Sequence, residues 1–289
     1  MKLATYEYDG RRSIGAIVSD RVVDMSASVG GYRRSLRGII ENDEYDALRT
    51  AVEVTDSPGI ALTDITLLPP ITNPDKIICV GLNYESHRKE TGRPEVEHPT
   101  LFTRFANTQV GHESPIWLPR DSVQLDYEGE LAVIIGKAGR YIRESQAMEY
   151  IAGYSCYNDG SVRDWQRHTS QFTPGKNFPH TGGFGPWMVT SDEIPDPTHL
   201  TLTTRLNGQV LQQAGTDMLI FTIPVLISYI STFTPLAPGD VIVTGTPGGV
   251  GFKRDPQIFM KPGDRVEVDI TGIGVLANPI ELDPTTAEG

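Results

Sequence analysis

Cysteine, positive charge and long apolar runs are all scarce in this chain of 289 residues. The cysteines are Cys79 and Cys156, each inside an apolar, strand-like run. They read as buried thiols rather than a disulfide. Two thiols alone cannot hold zinc, and no histidine lies at ligand spacing from either. The chain has 25 Lys and Arg against 37 Asp and Glu, a formal charge of −12. That balance argues against nucleic acid or an anionic membrane as the main partner. A small anionic substrate stays open, because a local site can oppose the global sign. No window of about 18 apolar residues occurs, so no membrane-spanning helix is expected. The opening "MKLATYEYDGRRS" holds no apolar core of signal-peptide length, and a cytoplasmic protein is the expectation. Nucleotide and serine-hydrolase signatures are missing as well. In "VTGTPGGVG" the run leads to Gly251-Phe252-Lys253, and Phe252 breaks the P-loop pattern. There is no G-x-S-x-G elbow.

Glycine and proline are plentiful, and they fall between short β-like runs. "LATYEY", "SIGAIVSD" and "RVVDMS" read as successive strands, followed by a helical stretch from about Ser35 to Glu53, broken near Asn42-Asp43. The Pro-rich "ITLLPPITNPDK" reads as a linker. It divides the chain into a small β-rich N-terminal domain, 1–72, and a main domain, 73–289. In the second part "KIICVGLNY", "TLFTRF", "DYEGELAVIIG" and "YSCYNDG" read as strands, while "ESHRKETG" and "SQAMEYIAG" read as helices. "LTLTTRLNGQVLQQAGT" predicts a hairpin at Asn207-Gly208. "IFTIPVLISYISTF" has helical apolar spacing. Two Pro-Gly-Asp turns near the end each precede a strand. The sum is a mostly β, α+β chain with few helices.

The sharpest puzzle is "DYEGELAVIIG", an apolar strand that begins with three acids. Glu128 and Glu130 are two apart, so an extended chain puts both on one face, roughly 6.5–7 Å apart. Burial and mutual repulsion both oppose their ionisation. A bound cation removes the conflict, and carboxylates without Cys or clustered His suit a hard ion: Mg²⁺, Mn²⁺ or Ca²⁺. Asp159, which also follows an apolar strand, is the candidate third ligand. Exposed strand-end acids with no ligand are the plain alternative.

His87 and Glu90 stand three apart on a short helix, where they are neighbours. A histidine oriented by a glutamate can serve as a base; the alternative is a solvated helix with an incidental pair. Arg163 suits a local carboxylate better than a substrate. Lys176, after Pro174 and between Gly175 and Asn177, is hard to place on a regular helix. It is either an exposed loop lysine or a stabiliser of an oxyanion or carboxylate. The Thr246 hydroxyl and the backbone N–H groups around it could receive a carboxylate.

Taken in order, "KIICVGLNYESHRKE", "DYEGELAVIIGK", "GYSCYNDGSVRDWQ", "PGKNF…GPWMV", "LNG", "PGDVIVTGTPGGVG" and "KPGDRVEVDITGIG" resemble the fumarylacetoacetate hydrolase family, over about Lys76 to Pro279. The resemblance implies a mixed β-sandwich or roll core, a small N-terminal domain and a homodimer. It implies Mg²⁺ or Mn²⁺, with Ca²⁺ also admitted, on Glu128, Glu130 and Asp159. His87 and Glu90 match the family's base pair on a mobile lid. Gln166 and Lys176 match its other catalytic positions. Arg163 and Thr246 match its substrate-binding positions, and Asn83 and Tyr84 of "GLNY" are placed with them. Arg104-Phe105 departs from the Lys-Pro of many relatives, and Pro179-His180 from an Asp-Thr pair, so His180 would either reach the pocket or cover it.

Family members act on 2-oxo or 2,4-dioxo carboxylates. The resemblance therefore implies C–C hydrolysis of an acylpyruvate-type acid. His87 would deprotonate water, and Lys176 and Gln166 would stabilise the oxyanion. Decarboxylation of an oxaloacetate-like acid, or isomerisation or hydration of a hydroxymuconate-type diene, is the alternative on the same residues. A binding protein with a vestigial site would have lost a ligand; none is lost here.

Overall fold

The computed structural model of the chain describes residues 1–26 and 35–287. Two β-sheets carry the architecture. The larger runs in the order Ile60–Ala61, Arg21–Asp24, Arg11–Val18, Lys2–Tyr8, Gly182–Thr190, Ile151–Asp159, Gly129–Ile135, Val241–Val243, Ile77–Gly81 and Thr100–Arg104. The smaller joins Gln209–Gly215, Thr201–Leu206, Arg265–Ile270, Gly274–Leu282 and Ile116–Leu118. Most pairs are antiparallel, but Val241–Val243 runs parallel to Ile77–Gly81. The first strand pairs with the fifth in that order, Lys2 opposite Val189 and Leu3 opposite Met188. The N-terminal strands are thus hydrogen-bonded into the large sheet.

Every residue of Gly129–Ile135 is buried, because both faces of the sheet are covered. Leu131, Val133 and Ile135 point into a cluster shared with the smaller sheet (Leu202, Val268, Ile270) and with the helix Ile223–Phe233. Ala132 and Ile134 point the other way, towards Leu36, Ile39 and Leu48 of the N-terminal helices. The helix Ile223–Phe233 has Pro224 in its first turn and buries Ile223, Leu226, Ile227 and Ile230 on one face. Each such aliphatic side chain stabilises the fold by roughly 1.5–3 kcal/mol.

Local chemistry explains most element ends. The two N-terminal helices, Leu36–Glu41 and Tyr45–Val54, are separated where Asp43 takes φ 52°. Asn207 and Gly208 both have positive φ, 51° and 79°, and close the expected hairpin. "SQAMEYIAG" differs from its reading: Glu144–Tyr150 is a 3₁₀ helix, and Ile151 already begins a strand. Ladder pairing of Ile151 with Ile135 wins over the weak helical pattern. Cys79 and Cys156 are buried free thiols, as read. Among the described residues no helix is long and apolar enough to cross a membrane.

Candidate active site

The acids converge because two strands converge. Gly129–Ile135 runs antiparallel to Ile151–Asp159, with Gly129 opposite Asn158, and the Asp159 N–H donates to the Glu128 carbonyl at 2.8 Å. Asp159 therefore ends its strand beside the start of the neighbouring one. Glu128, Glu130 and Asp159 bring carboxylate oxygens within 4.8 Å of one another, all buried. The glycine between the two glutamates is required by space. A Cβ at Gly129 would lie 2.0 Å from Thr204 Oγ1. Gly129→Ala should destabilise the fold by about 1–3 kcal/mol through overpacking; urea denaturation measures it, and an unchanged midpoint would refute the steric reading.

Buried cations answer these carboxylates. Lys176 ends a one-turn helix, Thr173–Lys176, and is buried, which removes the exposed-loop alternative. Its Nζ lies 2.5 Å from both Glu128 Oε2 and Asp159 Oδ2. Arg163 pairs with Asp126 at 2.8 Å and with Glu128 at 2.7 Å. Arg104 donates to Asp159 Oδ1 at 2.7 Å, the Gly160 carbonyl at 2.8 Å and Thr181 Oγ1 at 2.9 Å.

The electrostatics separate the two glutamates. Burial opposes ionisation of Glu128, but the Arg163 and Lys176 charges outweigh it and hold its carboxyl well below the usual range. Glu130 is pushed well above that range by burial and then by the charges of Asp159 and Glu128. A divalent cation relieves that crowding directly.

Asp126, the first acid of "DYEGE", does not join the cluster. It accepts from Arg163 Nε at 2.8 Å, the Gly251 N–H at 2.9 Å and the Phe252 N–H at 3.1 Å. It thereby anchors both Arg163 and the loop that carries Phe252, whose ring lies 4.3 Å from the Arg163 guanidinium. Asp126→Asn should cost about 3–5 kcal/mol, since it leaves a buried arginine short of a partner. Thermal melting checks this; a loss below that of an ordinary surface change would show that Glu128 alone neutralises Arg163.

The helix Glu85–Thr91 covers the cluster and ends at Gly92 in the left-handed conformation. His87 Nδ1 and Glu90 Oε1 are 2.8 Å apart. The other Glu90 oxygen accepts from the Gly249 N–H at 2.9 Å, and Ser86 Oγ accepts from the Gly248 N–H at 3.0 Å. The helix is thus tied to the glycine-rich loop.

A cavity of about 220 Å³ lies between this helix and the strand ends. His87, Glu128 and Glu130 line it, as do Arg163, Gln166, Lys176 and Thr246. Glu90 and Asp159 stand behind it, touching His87 and Lys176 respectively. Gln166 Oε1 accepts from Arg163 at 3.0 Å, and its NH₂ group makes no hydrogen bond among the described residues. Thr246 Oγ1 donates to the Gly129 carbonyl at 3.0 Å and accepts from Gln212 at 2.8 Å. Arg93, Arg167 and Lys253 add positive charge to the wall. The −12 chain therefore has a locally cationic cavity.

Three of the residues singled out in the sequence lie off the cavity. Asn83 does not face the cavity: its side-chain amide staples the backbone of Phe221 at 2.7 Å and 3.0 Å and the Thr244 carbonyl at 2.8 Å. Tyr84 is packed in the main apolar cluster. Neither is among the residues that line the cavity. His180 neither reaches nor covers the cavity; its ring stacks on Trp117 with centroids 3.6 Å apart. Arg104 and Asp126 were the missed residues, along with the aromatic walls Phe102, Phe172 and Phe252. Asp126 was legible as a third acid in a row; the aromatics are far apart in sequence and carried no signal.

Residues 76–281 match the family described as Fumarylacetoacetate (FAA) hydrolase C-terminal. The chain is 39% identical over 263 residues to the mitochondrial oxaloacetate tautomerase FAHD2A of Bos taurus, covering 90% of this chain and 83% of that protein. The fumarylacetoacetate hydrolase of Exiguobacterium antarcticum superimposes with a TM-score of 0.87 at 36% identity, covering 98% of this chain and 100% of that one. The maleylpyruvate hydrolase of Sphingobium sp. SYK-6, in complex with manganese(II) and pyruvate, gives a TM-score of 0.81 at 27% identity, over 98% of this chain and 99% of that one.

Proposed function

This chain belongs to the fumarylacetoacetate hydrolase family, whose members are enzymes, and on that footing we propose that it interconverts the keto and enol forms of a small 2-oxo dicarboxylic acid such as oxaloacetate. The observation that carries the reading is His87, held by Glu90 at 2.8 Å, on the same cavity as Glu128 and Glu130. Keto–enol exchange needs a proton moved on and off the carbon next to the 2-oxo group, and no attacking water. The relative named as an oxaloacetate tautomerase moves this reaction ahead of the hydrolysis expected from the sequence.

The donor set fits Mg²⁺ or Mn²⁺: three carboxylates, Glu128, Glu130 and Asp159, with no thiolate or imidazole among them. Such an ion, when bound, draws charge from the 2-oxo group and acidifies the adjacent C–H. His87 takes and returns the proton through Nε2, while Glu90 holds the ring by Nδ1. Gln166 offers its NH₂ to a substrate oxygen. Arg93, Arg167 and Lys253 favour an anionic substrate over a neutral one.

Acylpyruvate-type C–C hydrolysis is the second reading, favoured by the likeness to maleylpyruvate hydrolase. The test is a panel of oxaloacetate, acetylpyruvate and fumarylpyruvate, with EDTA and then with Mg²⁺ or Mn²⁺ restored. Cation-dependent loss of enol absorbance from oxaloacetate supports tautomerisation. Cation-dependent release of pyruvate from acetylpyruvate alone would put hydrolysis first. Turnover that EDTA leaves untouched would sink both.

A further inference from the structure

Each carboxylate of the cluster has one oxygen held by a guanidinium or a backbone N–H, and Glu128 and Asp159 also meet Lys176 through the second. Asp159 Oδ1 is held by Arg104 at 2.7 Å, Glu128 Oε1 by Arg163 at 2.7 Å, and Glu130 Oε2 by the Gly245 N–H at 2.5 Å. One oxygen from each carboxylate lies within 4.8 Å of the others. Glu128 Oε2 and Asp159 Oδ2 share the Lys176 ammonium, and Glu130 Oε1 has no protein partner among the described residues.

We infer that Arg104, Arg163 and the Gly245 N–H are positioning groups that restrict the three carboxylates to one oxygen each, and so select a small octahedral cation against Ca²⁺. Mg²⁺ keeps about six oxygens in near-octahedral geometry, whereas Ca²⁺ takes about 6–8 and favours bidentate carboxylates. Three single oxygens leave an octahedral ion three positions for substrate or water. The same three leave Ca²⁺ short of ligands. Losing a partner that orients a ligand in this way typically costs about 10–100-fold in metal affinity.

Arg104 is the residue to test. Its side chain is fully buried, and its fork ties the end of one strand (Asp159, Gly160) to the start of the next (Thr181). A flat guanidinium spans both; an ammonium meets fewer acceptors but can still cap Asp159 Oδ1. Removing Arg104 frees Oδ1 for a second bond to the cation.

This inference rests on the carboxylate site of the proposed function. The experiment is calorimetric titration of Mn²⁺ and Ca²⁺ into the metal-free full chain and its variants. The readout is the ratio of the two dissociation constants. Both ions carry the same charge, so the change in local charge largely cancels in the ratio. The parent should prefer Mn²⁺. Arg104→Met should move the ratio towards Ca²⁺ by about tenfold or more, and Arg104→Lys should keep the parent ratio. Where Arg104→Met does not fold, Thr181→Val loosens the fork without touching the charge and should move the ratio the same way, by less.

A parent that binds both ions equally, or a ratio unmoved in the folded variants, overturns the inference and leaves the site itself standing. A parent that binds neither ion removes the site and the inference together.

Discussion

Glu130→Gln should abolish Mn²⁺ binding and lower turnover by about 10³-fold, roughly 4 kcal/mol of lost transition-state stabilisation. Glutamine keeps the shape of the side chain and can still accept from the Gly245 N–H. The substitution therefore removes charge with little repacking. Glu130 is also the carboxyl most opposed by its surroundings, through burial and the charges of Asp159 and Glu128. Without a cation it is a liability, so the variant should melt no lower than the metal-free parent. Higher stability with lost function is the pattern expected at a site where charge is stored for a ligand. Calorimetry and a melting curve, with and without Mn²⁺, read both halves. Parent-like Mn²⁺ affinity in Glu130→Gln would take Glu130 out of the ligand set.

His87→Gln should lower kcat by about 10²–10⁴-fold, the usual range for a lost general base, with KM and Mn²⁺ affinity little changed. His87 touches no carboxylate of the cluster in the hydrogen-bond network; its partner is Glu90 at 2.8 Å. The two sets of residues can therefore be separated experimentally. Enol–keto exchange of oxaloacetate, followed by absorbance, gives the rate. Oxaloacetate decarboxylation needs no proton taken from water by a base, so it should survive His87→Gln better than acetylpyruvate hydrolysis does. If hydrolysis also survives, the base lies elsewhere.

Much of this site was legible because it is built from strand ends. Glu128 and Glu130 lie two apart on one strand, and Asp159 ends its neighbour, so period-two geometry alone brings them near. His87 and Glu90 needed only a helix. The hairpin at Asn207-Gly208 was legible for the same reason, since positive φ has few residue types to choose from. What failed depends on contacts made across the fold. Asn83 and Tyr84 sit beside the lid in sequence, yet burial turns one into a backbone staple and the other into core. Arg104 stands 55 residues before the Asp159 it holds, and no local pattern announces such a pairing. His180 is polar and follows Lys176 closely, but the stacking surface of Trp117 claims it.

The bonds from Glu90 and Ser86 to the glycine-rich loop have a further consequence for timing. One oxygen of Glu90 aims the imidazole, while the other fastens the helix to Gly249. Parting the helix from the loop breaks the second bond and leaves Glu90 anchored through one oxygen only. On the proposed function, the imidazole is thus held most firmly with the helix seated on the loop, as in a safety interlock.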